Sequence, residues 1–365
     1  MALFSNHWVK RFERQYRKLP LEEEAESEEI KADVFASEDK TGRIGIILSD
    51  EAESEGEAEA ESEAAGVSSR GKVVSRMISY ISNESLMGKS LKTGELRKRM
   101  KEPAWTVPEP FNLTSFEMDG FSMKMLSSKE NPDLDHVILQ LHGGGYMGSI
   151  RNAYYVFAGL YNEVSRGMNV LCPDYRVAPE NPYPAALEDA VASYKWLLTR
   201  GYKAENIVVA GDSAGGGLAM ALCMYLRDNG LPMPGGIIAM SPWTDLTASG
   251  ASYEENFDKD PLYGGTKESL IYINAYPGEH DKKDPYISPA FGSFKDFPPM
   301  LIQAGSNEML LSDSEVVAAK ARDEGVKVRL HIYEGMFHVF QMAYTAIPES
   351  KKAWIEVGKF FEVLY

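Results

Sequence analysis

From Phe111 onward the apolar residues recur in two rhythms. Short apolar runs bounded by Gly, Pro, Asp or Ser alternate with longer stretches whose apolar positions repeat every three or four residues. The first pattern predicts buried strands and the second amphipathic helices. Strands are predicted in "HVILQLH" from His136, "MNVLCPDY" from Met168, "NIVVAGDS" from Asn206, "GGIIAMSPW" from Gly235, "PPMLIQAGS" from Pro298 and "VKVRLHIYEG" from Val326. Helices are predicted in "AALEDAVASYKWLLTRG", ended by Gly201, "AGGGLAMALCMYLRDNG", ended by Gly230, "SDSEVVAAKARDEG", and the closing "KKAWIEVGKFFEVL". This alternation predicts an α/β fold, a mostly parallel central sheet flanked by helices. In such a sheet the chemistry sits at the carboxyl ends of the strands. Ahead of it, "FNLTSFEMDGFSMKMLSS" reads as a hairpin turning at Asp119-Gly120.

Upstream the pattern changes. "GKVVSRMISYIS" and "GELRKRMKEPAW" read as helices, the second broken at Pro103. Before Val67, "LEEEAESEEI" and "DEAESEGEAEAESEAAG" are Glu/Ala/Ser tracts with little to bury, and "RIGIILSD" between them has the composition of a single strand. The basic, aromatic start "MALFSNHWVKRFERQYRKLP" reads as a short docking or cap helix. The expected organisation is an N-terminal acidic segment, residues 1–66, and one folded domain, residues 67–365.

Charge sharpens this division. The chain has 365 residues, 44% hydrophobic and 25% charged, with a net charge of −16. Residues 21–65 hold 17 acidic against three basic residues, so nearly all the acidity belongs to that segment. A nucleic-acid partner would need a basic face, and none is evident. No window has the length and apolarity of a membrane span, and the N-terminus lacks the apolar core of a signal peptide, so the expected location is cytoplasmic. Cys172 and Cys223 lie in apolar runs and read as buried, reduced thiols.

Two glycine-rich stretches carry the candidate chemistry. Gly211-Asp212-Ser213-Ala214-Gly215 is a G-x-S-x-G match between a β-branched strand and an apolar helix, the context a nucleophile elbow requires. "HGGG", His142 to Gly145, follows another strand. Acyl transfer creates an oxyanion that needs fixed donors, and bare backbone supplies them without blocking a substrate carbonyl. Gly143, Gly144 and Ala214 are therefore assigned as the oxyanion hole, with Gly145 a further candidate. His142 is expected to brace this loop. Chain order selects His338, after the last strand, as general base over His7, His136, His142, His280 and His331. The acid is expected after "MLIQAGS". Glu308 is assigned; Asp313 is the alternative, with a competing role as a helix cap. No Cys/His cluster has metal-ligand spacing, and no metal or cofactor is expected.

With these stretches the chain resembles the hormone-sensitive-lipase-like, HGGG-containing branch of α/β-hydrolase esterases. "DYRVAPENPYPAALEDA", "GDSAGG", "SPWTDL" and "GMFHVF" match its blocks over about residues 70–365. The family usually has Asp where this chain has Glu308. The resemblance implies an α/β-hydrolase fold with a helical cap, here residues 67–105 and 247–285. Tyr146, Trp243 and the aromatics of "NFDKDPLYGG" are candidates to line the acyl pocket or simply to pack. Asp174, Arg176 and Glu180 would tie strand ends by ion pairs. The implied activity is a serine carboxylester hydrolase acting on small, short-chain esters. An amidase, carbamate or formamide hydrolase would use the same triad. A non-catalytic ligand receptor on this fold would be expected to lack a triad member.

Overall fold

The computed structural model describes residues 67–68, 70–72, 74–75, 102, 104–343 and 347–365, together with a strand pair, Ser37–Glu38 against Ile44–Gly45. The expected N-terminal helix and most of the predicted helices between residues 71 and 105 lie outside the described residues. The chain divides into two units, Arg11–Ala65 and a body running from Gly66 to Tyr365.

The body is built on an eight-stranded sheet. The hairpin is β1 (Phe111–Glu117) and β2 (Ser122–Ser128). There follow β3 (Asp133–Leu141), β4 (Met168–Asp174), β5 (Ile207–Asp212), β6 (Gly236–Met240), β7 (Met300–Gly305) and β8 (Val328–Tyr333). Their order is β8-β7-β6-β5-β3-β4-β2-β1. The hairpin joins antiparallel, through β2 against β4; the rest are parallel. β5, β6 and β7 are buried at every position, whereas edge strand β8 alternates. Sheets covered on both faces favour near-continuous apolar runs, and the central strands are such runs apart from the buried Asp212 of β5 and Gln303 of β7.

Five longer helices cover the sheet: α1 (Asn152–Val164), α2 (Ala185–Thr199), α3 (Ala214–Asp228), α4 (Leu311–Asp323) and α5 (Pro348–Leu364). Trp354 of α5 meets Phe157 and Tyr161 of α1 edge-on, at 5.2 and 4.9 Å between ring centroids. Such aromatic pairs stabilise beyond the area they bury. α2 packs against α3. Cys172 and Cys223 are free and buried.

Register decides where the chemistry falls. Leu141 pairs with Gly211, Asp212 with Met240, Met240 with Gln303, and Gly305 with Tyr333. The carboxyl ends of β3, β5, β6, β7 and β8 therefore line up along one edge, with the "HGGG" loop beside the nucleophile turn.

The insertion at residues 247–285 is not the helical cap element expected. It is a succession of turns with one short helix, Ser252–Glu255. Pro261, Gly264, Gly265, Pro277 and Gly278 interrupt any longer helix.

Candidate active site

Ser213 sits between β5 and α3 with φ 52° and ψ −122°. That region disfavours a residue with a Cβ, and its occupation marks stored strain. The backbone is held on both sides. Ser213 N–H donates to Met240 O at 2.9 Å, while Ser213 O accepts from Trp243 N–H at 2.8 Å. The neighbours must be glycines: a Cβ on Gly211 would strike the Gly215 backbone, and one on Gly215 the Leu141 carbonyl.

His338 lies on the loop after β8. Its Nδ1 is 2.7 Å from Glu308 Oε2, and the two side chains are 2% and 0% exposed. Glu308 Oε1 accepts the Gly305 N–H at 2.5 Å, so the carboxylate is anchored at one oxygen and faces the imidazole with the other. His338 Nε2 is buried without a hydrogen-bond partner among the described residues. The insertion buttresses this pair. Asn256 Nδ2 donates to Ser306 O and Glu308 O at 3.0 and 2.9 Å, and Asp260 Oδ2 accepts the Met309 N–H at 2.8 Å. Tyr263 stands 5.1 Å from the His338 ring, edge to face.

Asp313 is occupied elsewhere. Its Oδ2 accepts the N–H groups of Thr244 and Asp245 at 2.6 and 2.8 Å, and its Oδ1 the Tyr253 hydroxyl at 2.9 Å. Burial pushes its carboxyl up to about 8. It does not cap the helix as foreseen; it lies inside α4, where Leu310 is the cap residue, and pins the loop after β6.

The oxyanion loop needs a correction. The Gly143 N–H, expected to face substrate, donates to Asp212 Oδ1 at 3.1 Å. A Cβ on Gly143 would collide with the same carboxylate. Among the described residues, the N–H groups of Gly144, Gly145 and Ala214 have no partner. Gly144 and Gly145 have φ 115° and 63°, a turn that glycine enters at least cost. His142 braces the loop as expected. Its Nδ1 donates to Gly143 O at 2.8 Å, its ring stacks on Tyr175 at 4.0 Å, and Tyr175 Oη donates to His142 O at 2.5 Å. Asn274 of the insertion donates to Gly145 O at 2.8 Å.

Asp212, which lies inside the G-x-S-x-G match without a role in that motif, links the two glycine-rich stretches. It spans the Gly143 N–H and the Tyr154 hydroxyl, the latter at 3.1 Å. Burial raises its carboxyl to about 7. Its signal was a carboxylate inside an otherwise apolar strand end. Tyr146 and Trp243, expected candidates for the acyl pocket, are 1% and 2% exposed and belong to the core. Tyr146 stacks on Tyr276 at 3.8 Å, and Trp243 Nε1 donates to Asp245 O at 3.2 Å. Arg176 pairs with Asp189 and Glu188 of α2, and Asp174 Oδ1 accepts the Ile150 N–H, so the end of β4 is tied to a helix by ion pairs and to the loop after β3 by a hydrogen bond, not to another strand end. Among the described residues, no group of three His, Cys, Asp or Glu side chains could hold a metal ion.

Known proteins share this arrangement of chain. Residues 138–342 match the family described as alpha/beta hydrolase fold. An acetyl-hydrolase of Streptomyces hygroscopicus is 38% identical over 225 residues, 61% of this chain and 74% of that protein. The crystal structure of EstE5 soaked with p-nitrophenyl butyrate superposes with TM-score 0.71 at 34% identity, covering 81% of this chain and 99% of that one. An esterase from the bacterial hormone-sensitive lipase family superposes with TM-score 0.71 at 30% identity, covering 82% and 99%. With its parallel sheet, its strained serine after β5 and these relatives, the chain belongs to the α/β-hydrolase fold family, in the branch of the hormone-sensitive-lipase esterases.

Proposed function

We propose that this carboxylesterase cleaves short-chain acyl esters through an acyl-enzyme on Ser213. His338 Nε2 takes the proton of Ser213 Oγ as the oxygen attacks the ester carbonyl. The N–H groups of Gly144, Gly145 and Ala214 hold the oxyanion, where fixed donors act most strongly. His338 then gives the proton to the leaving alkoxide. Water attacks the acyl-enzyme by the same route and restores the serine. Glu308 keeps the Nδ1–H tautomer and stabilises the imidazolium.

The observation that carries this reading is the sealed Glu308–His338 pair, with Nε2 left unpaired. A ligand receptor on this fold has no need of such a pair. The short acyl group is supported by the name of the acetyl-hydrolase relative and by the p-nitrophenyl butyrate used with EstE5. No described helix is long and apolar enough to cross a membrane. The two free thiols, both buried, support a cytoplasmic location.

The test is a panel of p-nitrophenyl acetate, butyrate and palmitate beside the corresponding p-nitroanilides. Butyrate or acetate should be cleaved fastest. Faster palmitate cleavage overturns the short-chain reading; anilides cleaved faster than esters make the protein an amidase.

A further inference from the structure

A second strained residue adjoins the base. Val339, directly after His338, has φ 51° and is buried. A β-branched residue holds that conformation only where its surroundings enforce it. The Val339 N–H donates to Ser241 Oγ at 3.0 Å. Ser241 is 0% exposed, follows β6, and is itself left-handed at φ 47°. Its N–H donates to Gln303 O of β7 at 2.6 Å. The preceding residue, Met240, accepts the Ser213 N–H. Two consecutive residues thus hold the backbones of nucleophile and base.

We infer that Ser241 is a positioning residue for the esterase reaction: its hydroxyl holds Val339 in the strained turn that aims His338 at Ser213. The inference rests on the roles given to Ser213 and His338 above. Without the hydroxyl, the buried Val339 N–H has lost its acceptor, and the turn relaxes toward negative φ. The peptide before Val339 then rotates and carries the imidazole with it. Ser241 itself contacts no substrate in this scheme, so binding is spared while chemistry suffers.

The experiment measures p-nitrophenyl butyrate hydrolysis, with melting temperatures in parallel, so that every rate is read on folded protein. Ser241→Ala should lower kcat about ten- to a hundredfold, the scale of a misplaced catalytic group, with KM within about twofold. Ser241→Gly removes the same hydroxyl while suiting the left-handed backbone, and it decides the matter if Ser241→Ala does not fold. Val339→Gly adopts the turn without strain. In that background, loss of the hydroxyl should cost several-fold less than in wild type, the non-additivity expected of coupled neighbours. Unchanged kcat in the folded Ser241 variants, or an equal loss in both backgrounds, overturns the clamp and leaves the esterase reading standing. A folded wild type that cleaves no ester overturns both.

Discussion

Glu308 Oε2 lies 2.7 Å from His338 Nδ1, and its other oxygen is taken by the Gly305 N–H. Glu308→Gln would keep the second contact, because the amide oxygen can accept from Gly305. Its NH2 would then face Nδ1 and force the proton onto Nε2, where the base must be free. Turnover should fall by about three to four orders of magnitude, as triads do when the tautomer is wrong, with little change in melting temperature. Asp313→Asn should do the reverse, since Asp313 accepts two backbone N–H groups and a tyrosine hydroxyl. Comparison of kcat and melting temperature for the two variants checks this; an inactive Asp313→Asn beside an active Glu308→Gln exchanges their roles.

Ser213 combines function with strain. Ser213→Ala should remove turnover by about a million-fold while the protein stays folded. Ser213→Gly should be equally inactive and more stable than wild type. It relieves about 1–3 kcal/mol of backbone strain and gives back about 0.5–1 kcal/mol to glycine's greater freedom when unfolded. Calorimetry should show a melting point a few degrees higher; a lower one would mean that the turn stores no strain.

Asp212 makes stability depend on pH. Its carboxyl is raised from 3.8 to about 7, first by burial, with the hydrogen bond from the Tyr154 hydroxyl foremost among the contacts pulling it back. The folded state therefore binds this proton more tightly than the unfolded chain. The contribution is complete below pH 3.8 and is lost as pH rises through about 7. Asp212→Asn should flatten the fall in melting temperature between those limits. Identical pH profiles for variant and wild type would exclude a titration of Asp212 in this range.

Removal of residues 1–66 should leave esterase activity intact, because every residue of the site follows them. Removal of residues 1–75 should not. Val67 and Val74 pack on the cluster containing Tyr333, Met336 and Phe337, just before His338. Ser68 N–H and Oγ donate to the Glu349 carboxylate at 2.8 and 3.0 Å. The longer truncation should melt several degrees lower and lose turnover; equal behaviour of the two would show that this docking is dispensable.

Some of this was legible in the sequence for definite reasons. β5, β6 and β7 are largely apolar runs, chain order points to His338, and Glu308 stands out by its place at the end of β7, although the sequence leaves Asp313 as an alternative. α1 was passed over because "NAYYVFAGLYNEV" is buried from Tyr154 to Asn162 without a break, so no polar stripe betrays a helix. One of the donors assigned to the oxyanion loop, Gly143, has its N–H taken. A motif tells which residues form the loop, but Gly143 is occupied by a carboxylate from β5, distant in sequence. For Tyr146 and Trp243 the sequence leaves pocket lining and plain packing equally open, and the structure shows packing. Burial against Tyr276 and the Asp245 carbonyl is a tertiary fact.

The place of β8 at the sheet edge bears on how the protein is born. Domains form as the chain emerges, N-terminal parts first, and β3, β4 and β5 can pair before the rest exists. The strained serine is then already in the chain, but the acid and base proposed for it, Glu308 and His338, come with β7 and β8, the last two strands. A nascent or prematurely ended chain therefore carries a nucleophile with nothing to take its proton. Under the proposed mechanism, hydrolysis begins only once the final strand has docked, and an incomplete copy is inert toward the esters around it.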